Sequence, residues 1–301
     1  MKRALFIVAA LCAALLLNAW WVDSRTRPAM ARESGQVMST NIVAANVRVQ
    51  GSGPAIVLIH GFGAAMDWWD AIAPQLASDH RLISIDLIGH GGTAAPAGGY
   101  SIPRQAELVA TILDTVGVDR VTVIGHSMGG EVATAFAERN PARIERMILI
   151  DSPAVADGTF TPLMHLYLQP VLGQLLSRLQ TDDSLRRGLE QGFAPGFPIP
   201  DAFVADLKQL TYTAFRSAHD ESIAYRKAEP PYERIAALQP VPPLLAIFGA
   251  KDAIVPEASA NLFEHVPGAQ IAIVEGSGHS PMVEAPQRTL EIIREFLTTA
   301  R

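Results

Sequence analysis

The chain has 301 residues, a formal net charge of −6 and 49% hydrophobic residues, with a mean hydropathy of +0.20. One stretch supplies most of the apolar excess: Ala4 to Val22 contains a single polar residue, Asn18. The remainder has an ordinary globular composition, which excludes a polytopic membrane protein and a disordered chain. Residues 1–40 are net basic, through Lys2, Arg3, Arg25, Arg27 and Arg32 against Asp23 and Glu33. The rest of the chain therefore carries all of the acidic excess. An acidic domain of roughly 260 residues can bury a sizeable core, and without a basic stripe it is a poor match for nucleic acid. The only cysteine, Cys12, lies inside the apolar stretch. That excludes an intrachain disulfide and a thiolate metal site.

Residues 1–22 read as a membrane anchor or a signal. As a helix, the apolar run Ala4 to Val22 reaches about 28 Å at 1.5 Å per residue, close to the hydrocarbon thickness of a bilayer. Lys2 and Arg3 form a basic start, and Ala29-Met30-Ala31 resembles a cleavage site. Against cleavage, the apolar run exceeds a typical signal core, and Asp23, Arg25 and Arg27 separate it from that site. Trp20 and Trp21 suit a membrane interface. An uncleaved single-pass anchor is the favoured reading, with secretion after cleavage as the alternative. Arg25, Arg27 and Arg32 offset Lys2 and Arg3 under the positive-inside rule. Export, with the domain periplasmic or extracellular, is favoured over the reverse topology.

Residues 23–41 are polar and lack periodicity, as a linker would. Beyond them, apolar runs alternate with amphipathic stretches. The strands expected are 56–59, 81–86, 121–125, 147–151, 244–249 and 271–275, with antiparallel edge strands in 42–50. Helices are expected over 67–78, 103–116, 128–139, 256–265 and 283–298. Continuous apolar strands separated by helices imply an α/β fold, with a mostly parallel sheet covered on both faces. The core is thus expected in 42–152 and 232–301. Residues 153–231 break the alternation and read as a helical cap over the ligand-binding edge of the sheet. Leu163, Met164, Leu166, Tyr167 and Leu168 begin its apolar runs.

The chemistry concentrates where strands end. Gly125-His126-Ser127-Met128-Gly129-Gly130 follows a strand and opens a helix. Such a turn holds Ser127 in a strained conformation with its hydroxyl projecting, and it needs glycines where side chains would collide. Ser127 is the expected nucleophile. His60-Gly61-Phe62-Gly63 follows another strand, and its turn can aim the Phe62 N–H at the serine. Together with the Met128 N–H it would form an oxyanion hole. His279, in a loop after the last strand, is the expected general base. His60 and His90 suit local hydrogen bonding, while the side chain of His126 should point elsewhere. His80, His165, His219 and His265 read as surface or cap residues. Asp252, after the strand 244–249, is the expected acid. Asp151, which ends the preceding strand, is its rival. Asp86 is expected to brace a loop through Gly92.

These motifs, with Asp86-Leu87-Ile88-Gly89-His90-Gly91 and Gly249 to Pro256, stand in the order and spacing of a known family. From about residue 42 to the end, the chain resembles α/β-hydrolase-fold serine hydrolases of the esterase and lipase type. The resemblance implies an eight-stranded sheet, a cap between strands six and seven, and the triad Ser127–His279–Asp252. It implies no metal and no organic cofactor. Related dehalogenases and epoxide hydrolases use an aspartate nucleophile, so Ser127 speaks against both activities. The expected reaction is hydrolysis of an apolar acyl or aromatic ester, a small-molecule substrate, through an acyl-enzyme. Cleavage of carbon–carbon bonds, lactones, amides or thioesters on the same triad stays open. For a carboxylate-bearing substrate, Arg186, Arg187, Arg216 and Arg226 are candidate partners. A non-catalytic binding protein on this fold is the alternative of a different class. Oligomeric state is not legible.

Overall fold

A computed structural model describes residues 2–155, 162–255 and 257–299. Eight strands form one sheet: β1 (Gln36–Met38), β2 (Ala45–Gln50), β3 (Ala55–Ile59), β4 (Arg81–Ile85), β5 (Val121–His126), β6 (Ile144–Ile150), β7 (Leu244–Gly249) and β8 (Gln270–Val274). The order across the sheet is β1-β2-β4-β3-β5-β6-β7-β8. The β1–β2 and β2–β4 pairs are antiparallel, and the other pairs are parallel.

Successive strand residues face opposite sides of a sheet, and here both sides are covered. Val57, Ile59, Val121, Val123, Leu149 and Phe248 pack with the helices of one face, and Ile56, Leu58, Ile124, Ile148 and Ile247 with those of the other. Burying each such side chain contributes about 1.5–3 kcal/mol relative to exposure. The continuous apolar runs arise because neither face meets water.

The helices are α1 (Lys2–Asp23), α2 (Ala73–Leu76), α3 (Ile102–Thr115), α4 (Met128–Arg139), α5 (Pro162–Tyr167), α6 (Leu172–Leu176), α7 (Asp182–Leu189), α8 (Asp201–Gln209), α9 (Tyr212–Ala228), α10 (Pro231–Ala236), α11 (Ala260–Phe263), α12 (Pro281–Glu284) and α13 (Pro286–Thr299). Three expected helices are interrupted. Residues 67–78 divide into a 3₁₀ turn at Met66–Trp69 and α2, which restarts around Pro74. The stretch 283–298 divides at Pro286 into α12 and α13. Proline lacks the N–H that a helix interior needs, so it opens the new helix instead. The expected helix 256–265 is a 3₁₀ turn at Glu257–Ser259 followed by α11, and its Pro256 lies outside the described residues. The expected cap, 153–231, contains α5 to α9, all between β6 and β7. Its residues 156–161 also lie outside the described set.

The expected linker is corrected. Residues 36–38 form β1, and Arg27 makes an isolated antiparallel bridge with Ala95. The Met30 N–H donates to the Gly92 carbonyl (2.8 Å). The Arg27 guanidinium donates to the carbonyl of Thr93 (2.8 Å), and that of Arg32 to Asp206 on α8 (2.8 Å). These partners are remote in sequence, so local periodicity carries no trace of them. Before this pinned segment stands α1, whose Phe6, Leu16, Leu17 and Trp20 are exposed. Phe6–Asp23 has a mean hydropathy of 1.9 and is long and apolar enough to cross a membrane. It is compatible with an anchor or a signal. Its end leans on the insertion, where the Arg178 guanidinium lies 4.5 Å from the Trp21 ring centre.

Candidate active site

The turn from β5 to α4 places Ser127 at φ +50°, ψ −123°, a left-handed conformation that costs a non-glycine residue on the order of 1–3 kcal/mol. The surrounding glycines are there because there is no room for side chains. A Cβ on Gly129 would collide with the main-chain oxygens of Ile59 and His60, and one on Gly125 would lie 2.5 Å from the Gly129 carbonyl oxygen. The Ser127 N–H donates to the Ile150 carbonyl (2.9 Å), tying the turn to β6.

Ser127 Oγ lies 2.9 Å from His279 Nε2, and His279 Nδ1 lies 2.7 Å from Asp252 Oδ2. Residues 152 and 27 apart in sequence thus meet at the ends of β5, β7 and β8. Asp252 Oδ1 accepts the N–H groups of Ile254 (2.7 Å) and Val255 (3.0 Å). Burial raises the Asp252 pKa, but the His279 ring and these donors together hold it below the ordinary carboxylate value.

Gly61 brings the β3 turn against the serine: a Cβ there would sit 3.0 Å from Ser127 Cβ. Phe62 follows, before Gly63 at φ +74°. Met128 is the first residue of α4, so no carbonyl one turn back accepts its N–H. The Asp86 carboxylate accepts from Met66 N (2.8 Å), Gly92 N (2.7 Å) and Asn46 Nδ2 (2.8 Å). It braces the Gly92 loop, as expected, and also the chain just beyond the Phe62 turn.

The other histidines divide by environment. His60 Nδ1 donates to the Gly61 carbonyl (2.8 Å), while its Nε2 accepts from Leu87 N (3.0 Å). Burial lowers its pKa to about 4. His90 Nδ1 donates to the Ile88 carbonyl (3.1 Å), and burial with the neighbouring His60 takes its pKa to about 3. The role of His126 is not legible in the sequence. Its Nε2 donates to the main-chain carbonyl of His279 (2.7 Å), and burial keeps it neutral with a pKa of about 3. No local motif announces a partner 153 residues away. His219, expected at the surface or in the cap, lies on α9 with its ring 6.3 Å from that of Phe62.

The rival acid is also at the site. Asp151 is fully buried at the end of β6, and its Oδ1 accepts the Gly249 N–H (2.9 Å). The candidate arginines are engaged elsewhere: Arg226 pairs with Glu131, Arg186 with Asp201 and Arg216 with Asp220 (3.5 Å), while Arg187 is exposed. Phe215 of the insertion meets Phe62, with ring centres 4.7 Å apart, and Tyr167 of the insertion meets Phe215 in turn at 5.2 Å. A polar cleft of about 410 Å³, lined by residues including Asp23, Thr213, Arg216 and Asp220, sits where α1 meets α9 and does not include Ser127.

Residues 54–286 match the family model described as the alpha/beta hydrolase fold. The chain belongs to that family. The hydrolase is 28% identical to a 2-hydroxymuconate semialdehyde hydrolase of Pseudomonas putida, covering 91% of this chain and 97% of the relative. It is 29% identical to a pimeloyl-[acyl-carrier protein] methyl ester esterase of Aeromonas salmonicida, covering 82% and 96%. Among solved structures it resembles a bacterial membrane phospholipase A, with a TM-score of 0.69, 24% identity and coverage of 100% and 99%. Relatives of different chemistry therefore share the fold.

Proposed function

We propose that the hydrolase cleaves carboxylic esters with apolar acyl or aromatic groups through an acyl-enzyme on Ser127. The observation that carries this reading is the continuous chain from Ser127 Oγ through His279 to Asp252, at 2.9 and 2.7 Å. His279 Nε2 takes the hydroxyl proton as Oγ attacks the carbonyl carbon. The Phe62 and Met128 amides hold the oxyanion that forms. His279 then protonates the leaving alcohol, and water, deprotonated by the same ring, releases the acid. Asp252 keeps the imidazole in the tautomer that leaves Nε2 free to accept, and stabilises the imidazolium.

The insertion acts as a cap in this reading: Phe62, which follows the Gly61 turn against the serine, packs on Phe215, and Phe215 on Tyr167. The ion pairs of Arg186, Arg216 and Arg226 favour a neutral ester over a substrate that bears its own carboxylate. Retention of α1 as an anchor is supported by the segment behind it. Cleavage after Ala31 would discard the Arg27 bridge and the Met30 hydrogen bond. An anchored catalytic domain, and the end-to-end likeness to a membrane phospholipase A, favour acyl esters that partition into lipid.

Full-length protein in detergent should turn over p-nitrophenyl esters far faster than amides or a dienoic ketoacid. Preference for the ketoacid would replace ester hydrolysis with carbon–carbon cleavage on the same residues.

A further inference from the structure

Asp151 and Asp252 are both buried acids, and the sequence offers either as the partner of His279. The structure brings both to the site. One carboxylate oxygen of each, together with a His279 ring nitrogen, lies within 4.8 Å of the others. Asp151 is at φ +45°, a strained backbone for an aspartate. Its N–H donates to the Ile247 carbonyl (2.8 Å) and its Oδ1 accepts from Gly249, so β7 fixes it on both sides. Among the described residues, no N–H or hydroxyl reaches its Oδ2.

Two ionised carboxylates cannot share such a site at modest cost, because like charges at short range and low dielectric repel strongly. One of them keeps a proton. Among the described residues, Asp252 has three donors, from Ile254 N, Val255 N and His279 Nδ1, whereas Asp151 has one, from Gly249 N. The better-solvated carboxylate is the one that ionises.

We propose that Asp151 is a positioning residue of this site, a neutral carboxylic acid that donates its proton to the Asp252 carboxylate and so orients the acid that orients His279. The charged and titratable groups facing the pair are His279 and Glu284, both after β8, and His126 at the end of β5. Glu284 is held by the N–H groups of Ala194, Gly278 and Ser280, and its charge favours the protonated form of Asp151. Burial and the Asp252 charge raise the Asp151 pKa well above the ordinary carboxylate value. With Asp151 neutral, part of the Asp252 charge is spent on its donor, and the remainder acts on the imidazole.

This inference rests on the triad reading above, and its first test is independent of turnover. Infrared difference spectra between wild type and Asp151→Asn at neutral pH should show a protonated-carboxyl band in wild type that the variant lacks. Absence of the band overturns the proposal even if the triad stands. Conversely, ester turnover surviving in Ser127→Ala would overturn the triad and leave the band in place.

Kinetics provide the second test. Asparagine at 151 can still donate to Asp252 and accept from Gly249, and it tolerates the left-handed backbone. Asp151→Asn should therefore keep kcat within about threefold of wild type. Asp151→Ala removes the donor and should lower kcat by about ten- to a hundredfold at unchanged KM. It should also move the acidic limb of the kcat/KM profile to higher pH by about half to one unit, because the whole Asp252 charge then faces the imidazole. A loss of about 10³-fold or more in Asp151→Asn would make Asp151 the ionised acid itself and overturn the proposal. A wild-type profile in a folded Asp151→Ala protein would reduce the residue to packing, with the same result. Should Asp151→Ala fail to fold, the infrared band still decides.

Discussion

Replacing Asp252 with asparagine should abolish most turnover without disturbing the fold, and the structure says why. Asp252 Oδ1 is pinned by two main-chain donors, Ile254 N and Val255 N. In Asp252→Asn the amide oxygen must stay there, because an NH₂ group facing two N–H donors would leave both unpaired. The amide nitrogen then takes the place of Oδ2, 2.7 Å from His279 Nδ1. That contact forms only if Nδ1 accepts, so Nε2 carries the proton and points it at Ser127. The base is then in the wrong tautomer and its counter-charge is gone. A loss of about 10³–10⁴ in kcat is expected, or about 4–5.5 kcal/mol of transition-state stabilisation. Initial rates on a p-nitrophenyl ester would measure it, with circular dichroism confirming the fold and KM reporting binding. A loss of less than tenfold in a folded variant would refute the reasoning.

Three further substitutions probe the surroundings. In Gly129→Ala the new Cβ would lie 2.6 Å from the His60 carbonyl oxygen, and main chain cannot yield as a side chain can. The variant should lose more than about a hundredfold in kcat, and wild-type turnover would contradict the packing of this turn. Arg32→Ala removes the partner of Asp206, whose side chain is 1% exposed. Unfolding in urea should show a loss of about 3 kcal/mol, as for other broken buried pairs, whereas a loss below about 0.5 kcal/mol would show that the Arg32–Asp206 pair contributes little. Asp67, buried and hydrogen-bonded to Asp206, has its pKa raised to about 8, chiefly by burial. The folded state therefore holds a proton that the unfolded state has released from about pH 4 upward, so stability falls as pH rises through that window. Asp67→Asn cannot ionise and should gain on wild type by at least about 1 kcal/mol between pH 5 and pH 8, while an unchanged difference would place the proton elsewhere.

What could be read from the sequence was whatever the backbone demands locally. The turn from β5 to α4 excludes side chains at Gly125 and Gly129, so a serine among glycines between a strand and a helix is a local signature. The parallel strands were legible because both of their faces are buried. Asp252 was read as the acid and Asp151 as its rival, since each follows a strand; the structure sets Asp252 2.7 Å from His279 and brings Asp151 close beside them. His126 and Arg32 were missed for the opposite reason. Their partners are the His279 carbonyl and Asp206, far along the chain. The segment from Asp23 to Thr40 looked like a free linker because main-chain pairing and isolated arginine contacts hold it in place, without an apolar stripe. Pro74 and Pro286 interrupted helices that hydrophobic spacing alone ran through.

Covalent modification at Ser127 separates a hydrolase from a protein that merely keeps the fold. Full-length protein should be treated with a fluorophosphonate and its peptides mapped by mass spectrometry, before and after heat denaturation. The adduct should fall on Ser127 in the folded protein, disappear on denaturation, and be absent from Ser127→Ala together with ester turnover. Labelling at another residue, or esterase activity that survives in Ser127→Ala, would contradict the assignment.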